Sequence, residues 1–199
     1  MVSKPSLYEQ AIGELLGLME EARRRGDLDY STAALATASR DGRPSVRTVG
    51  VARTAVTGLV IFANAETGKG RQMLENPHAA LCFHWPVLQH QAIVEGAVAV
   101  LPDDEADALW RKQPREFGLG HWASDQTHAA ENPAQMRENV RTYRQRFDYE
   151  RIPRPPAWRA YEIRPDRIDL WPTGWTRLRP RCRYLKGADG NWTLTSDNP

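Results

Sequence analysis

Two basic residues sit where an anion is expected. Arg47 lies inside the run Arg43-Pro44-Ser45-Val46-Arg47-Thr48-Val49-Gly50-Val51, which reads as a strand. A guanidinium in a strand is costly unless it reaches water or pairs with an anion. Lys69 follows Thr67 and Gly68 at the start of a predicted helix, just after Phe62 and Asn64. A helix N-terminus, a lysine and a nearby arginine together make a phosphate cradle. Either cation alone would read as an ordinary solvated charge. Gln91 and Gln126 are neutral amides that can hydrogen-bond the edge of a heterocycle. Trp85, Trp122 and Trp171 offer flat faces to a ring, although a single tryptophan is more often core.

Other chemistries lack their residues. No Ser/His/Asp or Cys/His arrangement has local context, and His78, His84, His90, His121 and His128 do not fall at metal-ligand spacings. All five histidines are expected on the surface or in loops, and no metal is expected. No glycine-rich dinucleotide fingerprint stands at a strand-to-helix turn. Cys82 and Cys182 resemble neither a metal site nor a redox pair and read as two reduced thiols. With 27 basic and 25 acidic residues the net charge is +2, so bulk charge does not point to nucleic acid.

The elements that must position these residues are mostly strands. A first helix is expected from about Ser6 to Arg25, with Leu7, Ala11, Leu15 and Met19 on one face, Ser6 as cap and Gly26 as stop. Strands are then expected at Thr32 to Ser39, Val46 to Ala52, Leu59 to Ala63, Ala79 to Trp85 and Gln91 to Leu101. Asp41-Gly42 marks a hairpin between the first two. Helices are expected from Thr67 to Glu75, from the Pro102-Asp103-Asp104-Glu105 cluster through Trp110, and after Asn132-Pro133. Further strands are expected at Arg159 to Ile163, Arg167 to Trp171, Arg181 to Leu185 and Trp192 to Thr195. Strands in succession without intervening helices imply an antiparallel sandwich or barrel. The fold class is therefore mainly β with peripheral helices (α+β). One domain over residues 1–199 is expected, residues 1–29 forming a helical lead-in to a barrel with helical insertions. Neither a signal peptide nor an apolar run of membrane-spanning length is read, so a cytoplasmic protein is expected. The 41% apolar content suffices for a core, which chains of this size often complete by dimerising.

In order along the chain, several fragments resemble the pyridoxamine 5'-phosphate oxidase family, the FMN-binding split β-barrels. They are Asp41-Gly42-Arg43-Pro44 with Arg47, Ile61-Phe62-Ala63-Asn64, Lys69, Asn76-Pro77, Trp85, Gln91, and Trp122-Ala123-Ser124-Asp125-Gln126. Ile168-Asp169-Leu170-Trp171 and Arg177-Leu178-Arg179-Pro180-Arg181 complete the series. The resemblance implies an antiparallel split barrel that binds FMN at the interface of a homodimer. It implies that Arg47, Thr48, Val49, Gly50 and Val51 line the FMN, with Arg47 near its phosphate. Phe62 and Ala63 would meet the ring and ribityl chain, Lys69 the phosphate and Gln91 the flavin ring. Gln126 and Thr127 would reach the cofactor from the second subunit, and Trp171 and Arg181 would complete the site.

Departures from the family pattern bear on the substrate. A basic residue expected before Lys69 is Gly68. The four ligands of the vitamin enzyme's substrate phosphate fall at Ala52, Leu109, Gln113 and Phe117. Neighbouring Arg53, Arg111 and Arg115 would compensate only with a shift in register. An Arg-Leu-His element reads Arg177-Leu178-Arg179, whose two arginines are the candidate catalytic, substrate-positioning pair. A phosphate dianion without donors is poorly held, so the pattern is closer to the family's phenazine-biosynthesis offshoot. The expected function is an FMN-dependent oxidase of a small cyclic or heteroaromatic metabolite. The alternatives are a pyridoxine or pyridoxamine 5'-phosphate oxidase of vitamin B6 metabolism and a non-catalytic flavin- or heme-binding carrier or sensor.

Overall fold

Alternating burial along successive hairpins closes this chain into a barrel. The computed structural model describes residues 5–124, 133–148, 151–173 and 181–197. Within them run α1 (Leu7–Arg24), β1 (Thr32–Ala38), β2 (Pro44–Ala55), β3 (Gly58–Asn64), α2 (Gly68–Glu75), β4 (His78–Trp85) and β5 (His90–Val100). There follow α3 (Asp103–Trp110), α4 (Arg115–Ala123), α5 (Pro133–Phe147), β6 (Trp158–Pro172), β7 (Arg181–Lys186) and β8 (Trp192–Asp197). The sheet order is β3-β2-β1-β4-β5-β6-β7-β8, and β3 also pairs with β6, closing six antiparallel strands into a barrel. The long β6 makes this possible. Residues 161–172 of it pair with β5, residues 158–163 with β3 and residues 167–170 with β7.

Local sequence explains the pieces. Ser6 and Glu9 form a reciprocal cap, Ser6 Oγ accepting from the Glu9 N–H and Glu9 Oε2 from the Ser6 N–H at 2.8 Å. The α1 face of Ala11, Ile12, Leu15, Met19 and Ala22 is buried against the barrel core. Asp41-Gly42 turns the β1–β2 hairpin, with Gly42 at φ 83°. Every residue of β3 is buried, because its two faces meet two cores. Leu59, Ile61 and Ala63 join the barrel interior, whereas Val60 and Phe62 pack with Leu109 and Trp110 of α3 and Trp158 of β6.

Two expectations are corrected. The segment 159–171 is one strand rather than two, since a bulge at Asp166, opposite Glu95 and Gly96 of β5, lets the Arg164-Pro165-Asp166 stretch stay in the sheet. Proline is tolerated at such a bulge. A Cβ on Gly96 would fall 2.0 Å from the Arg164 carbonyl oxygen, so the close approach requires glycine. The helix α4 was not anticipated at all. Both cysteines are free thiols, as read. Among the described residues no helix is long and apolar enough to cross a membrane.

Candidate functional site

The predicted cation pair assembles at one end of the barrel. Inside β2, Arg47 faces the β1 residue Leu35 across the register. Its Nη1 donates to Thr37 Oγ1 at 2.6 Å, to the Ser45 carbonyl at 3.1 Å and to the Leu35 carbonyl at 3.3 Å. Gln72 of α2 steadies the group, its Oε1 accepting from Thr37 Oγ1 at 2.6 Å and its Nε2 donating to Ser45 Oγ at 3.2 Å. These oxygens are neutral, and among the described residues Arg47 has no ion pair. Burial alone lowers its pKa.

Lys69 arrives from the first turn of α2, a helix fastened to the end of β3. Thr67 caps it, donating Oγ1–H to the Asn64 carbonyl at 2.7 Å while accepting from the Gly70 N–H. Asn64, itself buried, accepts from the Glu66 N–H at 2.8 Å. A Cβ on Gly70 would lie 2.3 Å from the Asn64 oxygen, so only glycine lets α2 seat this closely. The Lys69 ammonium is lowered from its ordinary pKa by burial first and by the charge of Arg47 second. Two desolvated like charges, with no carboxylate paired to either among the described residues, form a site complementary to an anion.

A second cluster lies on the outer face of the sheet. Gln91 of β5 pairs with His84 of β4 and Trp171 of β6. The Arg181 guanidinium lies 4.3 Å over the Trp171 ring. Below it Asp169 has no exposed side-chain surface and takes Arg181, Arg167 at 2.7 Å and Arg183 at 3.2 Å. Burial pushes the Asp169 carboxyl up, but hydrogen bonds and charges of Arg167 and Arg181 outweigh it and hold its pKa below the ordinary value. Arg181 Nε is buried without a hydrogen-bond partner among the described residues. Beside Gln91, Cys82 is a thiol pushed up by burial, partly offset by the Gln91 amide. Neither Asp169 nor Gln72 was given a role in the sequence: Asp169 stood only inside the Ile168-Asp169-Leu170-Trp171 fragment, and the partners of Gln72, Thr37 and Ser45, lie 35 and 27 residues away.

The strand Arg47 to Val51 divides between two faces. Arg47, Val49 and Val51 are wholly or partly buried on the barrel side, whereas Thr48 and Gly50 are exposed on the outer face. Phe62 belongs to the second core and Ala63 to the barrel core.

The four positions where a substrate phosphate was weighed adjoin that second core. Leu109 is buried in it, and Ala52 and Phe117 pack against it. The Phe117 ring lies 5.3 Å from Trp110 and 6.1 Å from Phe62, and Gln113 Nε2 donates to the Leu109 carbonyl at 3.3 Å. Ala52, Gln113 and Phe117 line a cavity of about 700 Å³ together with Tyr30, Arg53 and Lys112. Arg53 is not a spare ligand there, since its Nη2 is 2.8 Å from buried Glu162. Arg115 donates to the Asp148 carbonyl. Arg111 lines a different cavity, with Arg151 and Arg154.

His121 overturns the expectation of a surface or loop histidine. It is a half-buried residue of α4 set among Phe117, Trp158 and Trp110. Trp85 is core, its indole N–H donating to the Tyr30 carbonyl at 2.9 Å, and Trp122 packs on Tyr143 and Phe147. Gln126, Thr127, Arg177, Arg179 and His128 lie outside the described residues. Among the described residues no group of His, Cys, Asp and Glu is placed to hold a metal ion.

Comparison with known proteins agrees with this architecture. Residues 20–172 match the family model described as pyridoxamine 5'-phosphate oxidase. A pyridoxine/pyridoxamine 5'-phosphate oxidase of Anaeromyxobacter dehalogenans is 42% identical over 195 residues, covering 98% of each chain. The protein of that name from Alkalilimnicola ehrlichii is 38% identical, over 97% of this chain and 99% of the relative. Among solved structures, PhzG of Burkholderia lata, in complex with tetrahydrophenazine-1-carboxylic acid, superposes with a TM-score of 0.78 at 24% identity over 92% of each chain. An FMN-binding, pyridoxamine 5'-phosphate oxidase-related protein of Nostoc punctiforme gives 0.73 at 18% identity, over 100% of this chain and 99% of that one. Those two likenesses establish the split-barrel fold. The family match and the full-length relatives go further: this chain belongs to the pyridoxamine 5'-phosphate oxidase family.

Proposed function

We propose that the protein is an FMN-dependent oxidase that works as a homodimer on a small cyclic or heteroaromatic metabolite lacking a phosphate. The observation that carries the cofactor is the Arg47–Lys69 pair, two desolvated cations at a helix N-terminus with no acidic partner among the described residues. A phosphate dianion fits that pair, and the bare Nε of Arg181 fits an acceptor on a flat ring. FMN carries both groups.

Arg47 and Lys69 bind the phosphate, the Thr48–Val51 strand with Phe62 and Ala63 lines the cofactor, and Gln91 hydrogen-bonds the ring edge. Trp171 and Arg181 complete the ring side, held in place by Asp169. Gln126 and Thr127 from the partner subunit contact the cofactor, and Arg177 and Arg179 orient the substrate. Bound FMN supplies hydride acceptance and return of the electrons to oxygen. The protein's part is positioning, exclusion of water and electrostatic tuning.

The outer face supports the dimer. Small or apolar side chains of β2, β1 and β4 (Val46, Ala34, Ala36, Ala80 and Cys82) lie along it, and Val46 is 68% exposed. A second copy covering this strip would also complete the ring side of the site. Light scattering of the flavin-loaded protein should give about twice the 22.6 kDa chain mass. A monomer retaining stoichiometric FMN contradicts the assembly.

The substrate assignment rests on the packed Ala52–Leu109–Phe117 wall. Apolar ligand surface buried there contributes roughly 25 cal/mol per Å², whereas among the described residues a dianion would find Lys112 as the one cation lining the cavity without an ion pair. Lys112 suits a carboxylate. The second reading, oxidation of pyridoxine 5'-phosphate, is favoured by the name shared by the full-length relatives. Anaerobic stopped-flow bleaching of the flavin separates them. Dihydro-aromatic carboxylates should bleach it rapidly and air should restore it. Fast, saturable bleaching by low micromolar pyridoxine 5'-phosphate installs the second reading instead.

A further inference from the structure

We infer that the cavity between α3 and the segment leading into β6 is a second anion site, taking a small phosphate monoester on Arg111 and Arg151. It shares no residue with the Arg47–Lys69 pair, and it does not depend on the cofactor assigned to that pair.

One hydrogen bond brings the two arginines together. The indole N–H of Trp110, buried at the end of α3, donates to the Ile152 carbonyl at 3.0 Å. Arg111 follows Trp110 as the C-cap of α3, and Arg151 precedes Ile152. Both side chains therefore leave the backbone beside the same buried contact. Both line a cavity of about 550 Å³ and an adjoining one of about 210 Å³, with Trp110 and Ile152 shared between the two.

The other charged groups of the larger cavity are already matched. The Arg154 side chain is 7% exposed, with Nε 2.7 Å from Asp107 and Nη2 2.8 Å from Asp103, and its Nη1 donates to the Trp158 carbonyl. Arg159 donates to the Pro156 carbonyl at 2.8 Å and lies 4.0 Å from Asp103. Among the described residues no ion pair or hydrogen bond reaches the side chain of Arg111 or Arg151. Asp103 and Asp107 line only the larger of the two cavities. The carboxylates thus stand away from the place where the cavities meet, and the two arginines stand at it.

Two guanidiniums held on neighbouring backbone without a counter-charge repel each other and attract a dianion. Each presents a fork of N–H donors that matches the oxygens of a phosphate group. A carboxylate, with one charge, satisfies one guanidinium and leaves the other unmatched. Beside them Ile152, Pro153 and the edge of Trp110 give the cavity an apolar wall, and its volume is that of a small-molecule pocket. An arginine on an open surface has water on every side, whereas these two look into an enclosed space. A ring carrying a phosphate monoester meets both the wall and the charges.

The test is calorimetric titration of the FMN-saturated protein with phenyl phosphate at low salt. The FMN keeps Arg47 and Lys69 occupied, and binding should saturate at one site per chain. Arg111→Gln and Arg151→Gln should each weaken it about fivefold, and the double variant by at least about twentyfold. Neither change removes a contact of the fold, so melting temperature and flavin content should stay as in wild type. Lys112→Ala, which alters the cavity beside Ala52 and Phe117 instead, should leave phenyl phosphate binding unchanged. Benzoate should displace the probe only weakly, and benzyl alcohol not at all. No saturable binding to wild type, unchanged affinity in the double variant, or loss in Lys112→Ala in its place overturns the inference. Displacement by benzyl alcohol overturns it too, since charge would then not be what is recognised. A chain that takes up no FMN refutes the cofactor assignment, and the same titration on that chain still decides this site.

Discussion

Replacing Arg47 and Lys69 together by alanine should yield a folded protein that emerges from gel filtration without flavin. Each cation offers the phosphate a charge-assisted contact of roughly 1.5–3 kcal/mol. Losing both should weaken FMN by about two to four orders of magnitude. The effect on stability should run the other way. Lys69 is held partly desolvated beside Arg47 with no acid among the described residues to compensate, so the apoprotein of Lys69→Ala should melt no lower than wild type. Loss of affinity without loss of stability marks a site kept for a ligand, whereas a structural pair loses both. Riboflavin sharpens the comparison. Wild type should prefer FMN strongly, and the double variant should bind the two flavins alike. Full retention of FMN by the double variant sinks the assignment.

That cation pair was readable in the sequence because its logic is local. A charged residue inside a strand run and a lysine just past a helix cap each raise the same question, where the counter-charge is. The strands were legible for a similar reason, since alternation in β1 and the Asp41-Gly42 turn are short-range signals. What failed was long-range or glycine-dependent. Helix α4 contains Gly118 and Gly120, which lower helix propensity. A Cβ at Gly118 would come within 3.1 Å of Ile152, so that glycine serves packing against the segment before β6. Missing α4 hid the setting of His121 as well. Arg164-Pro165-Asp166 looked like a break between strands, yet the bulge there is given room by Gly96, nearly 70 residues earlier. Arg53 looked available to a ligand until Glu162, 109 residues away, was found against it.

Asp169 carries the densest charge cluster among the described residues, and its removal should have the largest effect on the fold. It is the shared counter-charge of Arg167, Arg181 and Arg183, with no solvent-exposed side-chain surface of its own. Breaking a buried charge cluster by deleting one partner costs about 3–5 kcal/mol. Because the three arginines are each about 30% exposed, solvent screening favours the lower end, about 3 kcal/mol. In a chain of this length Asp169→Ala should therefore lower Tm by about 6–12 °C. Asp169→Asn, which keeps the shape and some hydrogen bonds, should lose less. The carboxyl titrates below its ordinary value in the native state, so its stabilising effect is complete above the unfolded-state value. It disappears as pH falls through the native one. Wild type should thus lose stability through that acidic window more steeply than Asp169→Asn. The cofactor should respond too, since Asp169 anchors the guanidinium that lies over Trp171. Denaturant melts of the apoproteins from about pH 7 down to about pH 3 measure the first effect, and FMN titration at neutral pH measures the second. Parallel stability curves for wild type and Asp169→Asn would show that the three arginines do not depend on this carboxylate. Unchanged FMN affinity in a folded Asp169→Asn would separate Arg181 from the flavin.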